Sequence, residues 1–134
     1  MASVYTVRMH PRSAFGIALV VLALVVALFQ FLANYFYLYW LWWWADVVMH
    51  FLGGLLVSGF VLWWIRFEVP VHLRKRLPVF LTAFAVIVGV GVSWEIFEYV
   101  TNSYASANYT LDTTFDLAMN IVGMLFAYLI FRRL

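Results

Sequence analysis

The stretch Ala14–Tyr39 reads AFGIALVVLALVVALFQFLANYFYLY and contains no charged residue. A helix needs roughly 20 apolar residues to cross the hydrocarbon of a bilayer, so this stretch is long enough to span it. Gln30 and Asn34, its two amide side chains, lie about one helical turn apart near the end. Because the apolar run is longer than that of a cleavable signal peptide, it predicts a retained transmembrane helix.

The rest of the chain is equally apolar. Of 134 residues, 67% are hydrophobic and only 10% are charged. A chain this short cannot bury so much apolar surface in one soluble core, because small domains have a large surface for their volume. The apolar stretches predict helices at about 14–39, 46–65, 78–99 and 113–131. We therefore expect residues 1–134 to form a single integral membrane domain, an all-α bundle of four transmembrane helices.

The positively charged residues all fall at one end of this predicted bundle. They precede the first helix, follow the second and close the chain. The eight are Arg8, Arg12, Arg66, Arg74, Lys75, Arg76, Arg132 and Arg133. Lys and Arg accumulate on the cytoplasmic side of membrane proteins, so both termini are predicted to be cytoplasmic. The protein is then a multi-pass protein of the cytoplasmic (inner) membrane.

Five of the six carboxylates fall at the opposite end, where no Lys or Arg is predicted. They are Asp46, Glu95, Glu98, Asp112 and Asp116. In the second predicted helix, His50 follows Asp46 by one turn on the same face. In the fourth, Asn120 follows Asp116 by one turn. Three helices thus bring acidic side chains to one depth of the bundle.

Small residues share faces with these polar side chains. Gly54 follows His50 by one turn, and Gly123 extends the stripe formed by Asp116 and Asn120. In membranes, small residues mark the faces on which helices approach each other closely. We therefore expect the polar side chains to face the interior of the bundle.

An acidic cluster inside a membrane needs compensation, because each carboxylate costs about 2.5–3.5 kcal/mol on insertion scales. Asp46 and Asp112 have a simple alternative role, since Asp stabilises helix N-termini by capping and through the helix dipole. Glu95 and Glu98 lie near a helix C-terminus, where a carboxylate opposes the dipole. Interfacial water, proton sharing among the acids or a bound metal would each offset the cost.

The first hypothesis is a divalent metal site. Oxygen ligands with one imidazole suit Mg, Mn, Ca, Zn or Fe, and helix bundles hold metals with inward carboxylates. The predicted ligands are Asp46, His50, Glu95, Glu98, Asp112 and Asp116, with Asn120 as a ligand-orienting residue. The site would bind or act on an envelope or lipid-linked substrate at the outer leaflet. The residues leave open whether the protein is an enzyme.

Two other functions stay open at this stage. A non-catalytic module would bind a ligand or a partner membrane protein through the acidic cluster. A cation or proton transporter would need a path through the inner halves of the helices, which offer only Ser58 and Thr82 as polar groups. Expected partners are membrane lipids and a second copy or another membrane protein. Nucleic acid is not expected, because the basic run 74–76 is short and adjoins the membrane.

Three patches of the sequence resemble the signature patches of VanZ-like membrane proteins and of the related YjdF-type proteins. They are Asp46-Val-Val-Met-His50-Phe-Leu-Gly-Gly, Trp94-Glu95-Ile-Phe-Glu98 and Asp116-Leu-Ala-Met-Asn120-Ile-Val-Gly123. VanZ-like members often have Lys where this chain has Val47, and Gln at the place of Glu98.

The resemblance implies a small polytopic membrane protein, and the founding VanZ-like member is associated with resistance to the glycopeptide teicoplanin. It implies shared site positions, which are Asp46, His50, Glu95, Asp116 and Asn120. It names no substrate and no reaction.

Overall fold

The computed structural model describes residues 10–101, 103 and 108–133, and every regular element within these ranges is a helix. The helices are α1 (Pro11–Tyr35), α2 (Leu38–Leu41), α3 (Trp43–Phe67), α4 (Val71–Arg74), α5 (Val79–Thr101) and α6 (Tyr109–Phe131). Four of them, α1, α3, α5 and α6, are long and apolar enough to cross a membrane. The prediction of an all-α protein with four transmembrane helices is confirmed.

The first spanning helix, α1, ends earlier than the predicted helix 14–39. It ends at Tyr35, and Tyr37 has a φ of 55°, in the left-handed region that a helix cannot continue through. The chain turns there into the single-turn helix α2. Tyr39 therefore lies on a separate element beside the acidic end of the bundle.

Aspartate does not cap the two helices that begin at the acidic end. The side chain of Asn108 caps α6 by accepting a hydrogen bond of 3.2 Å from a backbone N–H of the first turn. Helix α3 starts at Trp43 without a side-chain cap. Asp46 and Asp112 lie within the first turns of these helices. The capping interpretation of both is therefore wrong, although the helix dipole still favours a carboxylate at these positions.

Helices α3 and α6 form the largest contact between two helices in the described part of the chain. Their backbones meet at two glycines. A Cβ added to Gly54 would lie closer than 3.0 Å to the backbone of Asn120, and one added to Gly123 would lie equally close to the backbone of Phe51. Only glycine fits at either position, because the obstacle is main chain that cannot rotate away. This crossing places the halves of α3 and α6 that lie nearer the acidic end side by side.

An aliphatic core fills the space between α3, α5 and α6 toward the basic end. Its buried members are Leu62, Ala83, Ile87, Met124 and Ala127. Along the part of α6 that lies nearer the acidic end, the buried side chains are polar. The bundle therefore has an apolar half and a polar half along one axis.

Helix α1 is attached to α3 at the basic end. The indole of Trp63 donates a hydrogen bond of 3.2 Å to the Arg12 carbonyl, and the Arg12 guanidinium pairs with Glu68 at 2.7 Å. Glu68, the sixth carboxylate, thus has a basic partner. Among the described residues, α1 makes no comparable contact with α5. A space therefore remains between α1 and α5 toward the acidic end.

Replacing either crossing glycine should destabilise the bundle. Gly54→Ala and Gly123→Ala each place a methyl group against main chain, and overpacking of this kind costs about 1–3 kcal/mol. Gly53→Ala is the matched control, since no atom lies within 4 Å of its added Cβ. SDS titration in detergent, followed by circular dichroism, measures the stability. Equal stability of all three variants would contradict a close contact between α3 and α6.

Candidate functional site

His50 stands at the centre of the polar half, with only 7% of its surface exposed. Its Nε2 atom lies 3.6 Å from Asp46 Oδ1 on the same helix and 3.9 Å from Asp116 Oδ2 on α6. Its Nδ1 atom lies 3.3 Å from the side-chain nitrogen of Asn120. Each ring nitrogen therefore faces a different kind of group, carboxylates on one side and an amide on the other.

The Asn120 contact orients the His50 ring. When the Asn120 amide donates to Nδ1, the ring proton is on Nε2 and points toward the carboxylates of Asp46 and Asp116. Asn120 is itself buried, and a Cβ at Gly91 of α5 would lie 2.9 Å from its side-chain nitrogen. The absence of a side chain at Gly91 therefore leaves room for the amide that positions His50.

Two overlapping groups of side chains that could hold a metal ion share His50. The ligand atoms of Asp46, His50 and Asp116 lie within 4.8 Å of one another, and so do those of His50, Glu95 and Glu98. The first group joins α3 to α6, and the second joins α3 to α5. Carboxylates from three helices therefore converge on one imidazole.

Glu95 is the most constrained carboxylate of the second group. Only 5% of it is exposed, and its Oε2 atom accepts a hydrogen bond of 2.7 Å from the Thr113 hydroxyl. Its Oε1 atom is buried and has no hydrogen-bond partner among the described residues. An unpaired buried carboxylate oxygen is costly, so this atom is well suited to accept a hydrogen bond or to bind a cation.

The structure brings together most of the residues that the sequence singled out. Asp46, His50, Glu95, Glu98 and Asp116 meet in the two groups, and Asn120 lies behind the ring of His50. Asp112 is half-buried in the first turn of α6 and belongs to neither group. Its role as a metal ligand stays a prediction.

Thr113 and Tyr109 are site residues that the sequence analysis did not identify. Thr113 bonds the Glu95 carboxylate, and the Tyr109 hydroxyl donates a hydrogen bond of 2.7 Å to the Glu95 carbonyl. Both lie on α6, and together they tie α6 to the end of α5. The sequence does contain an indication of Thr113, because it precedes Asp116 by three residues and so shares the same face of the helix.

Tyr39 is a third residue that the sequence did not indicate. Its hydroxyl donates a hydrogen bond to the side-chain oxygen of Gln30 on α1. Burial, together with the charges of Asp46 and Glu98, raises the pKa of Tyr39 well above its usual range. The hydroxyl therefore stays protonated and remains a donor. Its place beside the acids depends on the left-handed turn after α1, which the apolar pattern did not reveal.

A cavity of about 500 Å³ adjoins His50 and is bounded by α1, α3 and α5. On α3 its lining extends from Asp46 to Val57, about 16 Å at the rise of an α-helix. Gln30 and Asn34 of α1 line the part of the cavity nearer the acidic end. Its lower end reaches Ile87 of the aliphatic core and stops there. The lining of the cavity therefore runs from the carboxylates at the acidic end to the aliphatic core.

Four helices of spanning length make this an integral multi-pass membrane protein. The family described as "Predicted membrane protein (DUF2238)" matches residues 1–134, and the chain belongs to that family. No curated protein and no solved structure shows significant similarity to the chain.

Loss of the Thr113 hydroxyl should weaken the link between α5 and α6. Thr113→Val keeps the shape of the side chain but removes the donor to Glu95, so we expect a loss of about 1 kcal/mol in stability. Thr114→Val is the control, because among the described residues that exposed hydroxyl bonds the Thr110 carbonyl of its own helix. SDS titration of both variants measures the difference. Similar losses in the two variants would contradict a specific role of Thr113.

Proposed function

We propose that this protein binds one divalent metal ion at Asp46, His50 and Asp116 and uses it to bind or transform an envelope or lipid-linked substrate. The observation that carries the proposal is the approach of two carboxylates from different helices to one buried imidazole nitrogen. One imidazole with carboxylate oxygens suits Mg, Mn, Ca, Zn or Fe. A divalent ion would also offset the cost of two carboxylates in the membrane.

Glu95 and Glu98 have a separate role in this proposal. They approach His50 from α5, and the Oε1 atom of Glu95 lacks a hydrogen-bond partner among the described residues. A carboxylate next to a metal site, but not needed as its ligand, is suited to accept a proton from a substrate or a water. A bound metal ion would supply activation of a water molecule or polarisation of a substrate oxygen.

Asn120 would orient the metal ligand. A histidine that binds metal through Nε2 carries its proton on Nδ1 and donates it to an oxygen of a neighbouring group. Asn120 lies against Nδ1, and rotation of its amide group would present the side-chain oxygen to that proton. The same residue can therefore stabilise His50 with and without metal.

The cavity supports a lipid-linked substrate. It joins the carboxylates to apolar side chains deep in the bundle, and it lies within the span of the membrane helices. We place it in the outer leaflet, because the basic residues at the other end favour the cytoplasmic side.

A non-catalytic binding module is the second candidate, favoured by the lining of the cavity. Within the described chain, its hydroxyl groups come from Tyr39 and Ser103, and no residue near them forms a nucleophile–base pair with His50. Transport has less support, since the cavity ends at the aliphatic core instead of continuing to the basic end.

We also propose that the chain is related to the VanZ-like and YjdF-type proteins. The support is that the three patches of resemblance supply the residues that meet around His50. Asp46 and His50 come from the first patch, Glu95 and Glu98 from the second, and Asp116 from the third. The relation would make this site a shared feature of those proteins.

Elemental analysis of the purified protein in detergent tests the metal site. We expect about one divalent ion per chain, and its loss in His50→Ala and Asp116→Asn, because each removes one of three ligands. Glu68→Gln is the control, since this carboxylate pairs with Arg12 at the opposite end. Asp112→Asn in the same series decides whether that residue is a ligand. Absence of metal after loading with each candidate ion would contradict the proposal.

Substitution of Asn120 tests its orienting role. Asn120→Leu removes the oxygen that would accept from His50, so metal affinity should fall about 10-fold to 100-fold. Asn120→Asp keeps an oxygen in the same place and should retain most of the affinity. Competition with a chelator measures both. Equal losses would indicate that the amide serves only packing against Gly91.

A further inference from the structure

We infer that the cavity between α1, α3 and α5 binds a phospholipid with an ammonium headgroup. The headgroup lies at the carboxylates, and one hydrocarbon chain extends toward the aliphatic core. This inference names the substrate class of the site proposed above and rests on that proposal for the metal.

The cavity can be entered from the lipid side. Within the described chain, α1 packs on α3 but makes no comparable contact with α5. A shallow groove on α5 shares Val90, Trp94 and Phe97 with the lining of the cavity, so the two spaces adjoin along this helix. A hydrocarbon chain can therefore enter sideways between α1 and α5 without leaving the apolar phase.

The lining changes from polar to apolar along the direction of the membrane normal. Asp46 and Glu98 lie at the acidic end, near the starts and ends of their helices. The deep lining consists of aliphatic side chains from three helices, among them Ala23, Val57 and Ile87. An amphiphile with its head at the carboxylates and its chain below them matches this gradient, whereas a fully polar solute would leave the lower part without partners.

The acidic side chains in the lining of the cavity favour a cationic headgroup. A divalent ion at Asp46 and Asp116 would balance those two carboxylates, and Glu98 is a further acidic side chain in the lining of the cavity. No Lys or Arg is among the described residues that line it. Trp40 and Trp94 line the same upper region. Tryptophan rings attract ammonium groups through the cation–π interaction, and carboxylates attract them by charge.

Lipid binding to the purified, delipidated protein in detergent tests this inference. The probes are dioleoyl phosphatidylethanolamine, which carries the ammonium group, and dioleoyl phosphatidylglycerol, which has the same chains without it. We expect the first to bind at least about tenfold more tightly, and Glu98→Gln to remove most of this preference. Equal affinities for the two lipids in the unmodified protein would overturn the inference.

Filling the part of the cavity that the hydrocarbon chain of the lipid would occupy gives a second, independent test. Ala27 and Ala18 of α1 are both exposed, but only Ala27 is in the lining of the cavity. Ala27→Phe should lower phosphatidylethanolamine binding about tenfold, and Ala18→Phe should not change it. If the two variants bind equally, the chain does not occupy this space and the inference fails.

Metal content, measured in the same preparations, separates the two proposals. If the protein binds metal but does not distinguish the two lipids, the metal site is supported and the lipid assignment is overturned. Selective lipid binding without metal would support the lipid assignment and overturn the metal site.

Discussion

The contact between α3 and α6 at Gly54 and Gly123 is the constraint on which the rest of the structure depends. Main chain meets main chain there, so no side chain can separate the two helices. Because His50 precedes Gly54 by one turn and Asn120 precedes Gly123 by three residues, the same contact brings the imidazole to the amide. The carboxylate of Asp116 then comes within 3.9 Å of the other ring nitrogen. Packing and site geometry are thus set by one helix crossing.

The carboxylates at the two ends of the bundle have different surroundings. At the basic end, Glu68 forms an ion pair with Arg12 near the surface. At the acidic end, Glu95 and Asp116 are buried among other acids, and Glu95 keeps one oxygen without a described partner. Burial of like charges without a counterion is unfavourable. This imbalance and the adjoining cavity are the two observations from which we propose a cation and an amphiphile as ligands.

The sequence predicted the spanning helices and most of the candidate site for a clear physical reason. Long apolar stretches are stable only in lipid, and residues three or four apart on a helix must share a face. These two rules placed Asp46 with His50, and Asp116 with Asn120. They could not identify Tyr39, which depends on a left-handed turn at Tyr37. Capping by aspartate was also wrong, because the choice of helix start depends on the local turn.

The sequence by itself determined that the chain spans a membrane with four helices and that five of its six acids lie at the end opposite its basic residues. Composition and periodicity are local properties, and the bilayer converts them directly into spans. Only the tertiary structure decided which helices touch, because contact depends on how side chains of distant segments fit together. It packed α6 against α3, left α1 apart from α5 and thereby opened the cavity beside His50. Neither the cavity nor the hydrogen bond from Thr113 to Glu95 follows from periodicity, since both join residues on separate helices.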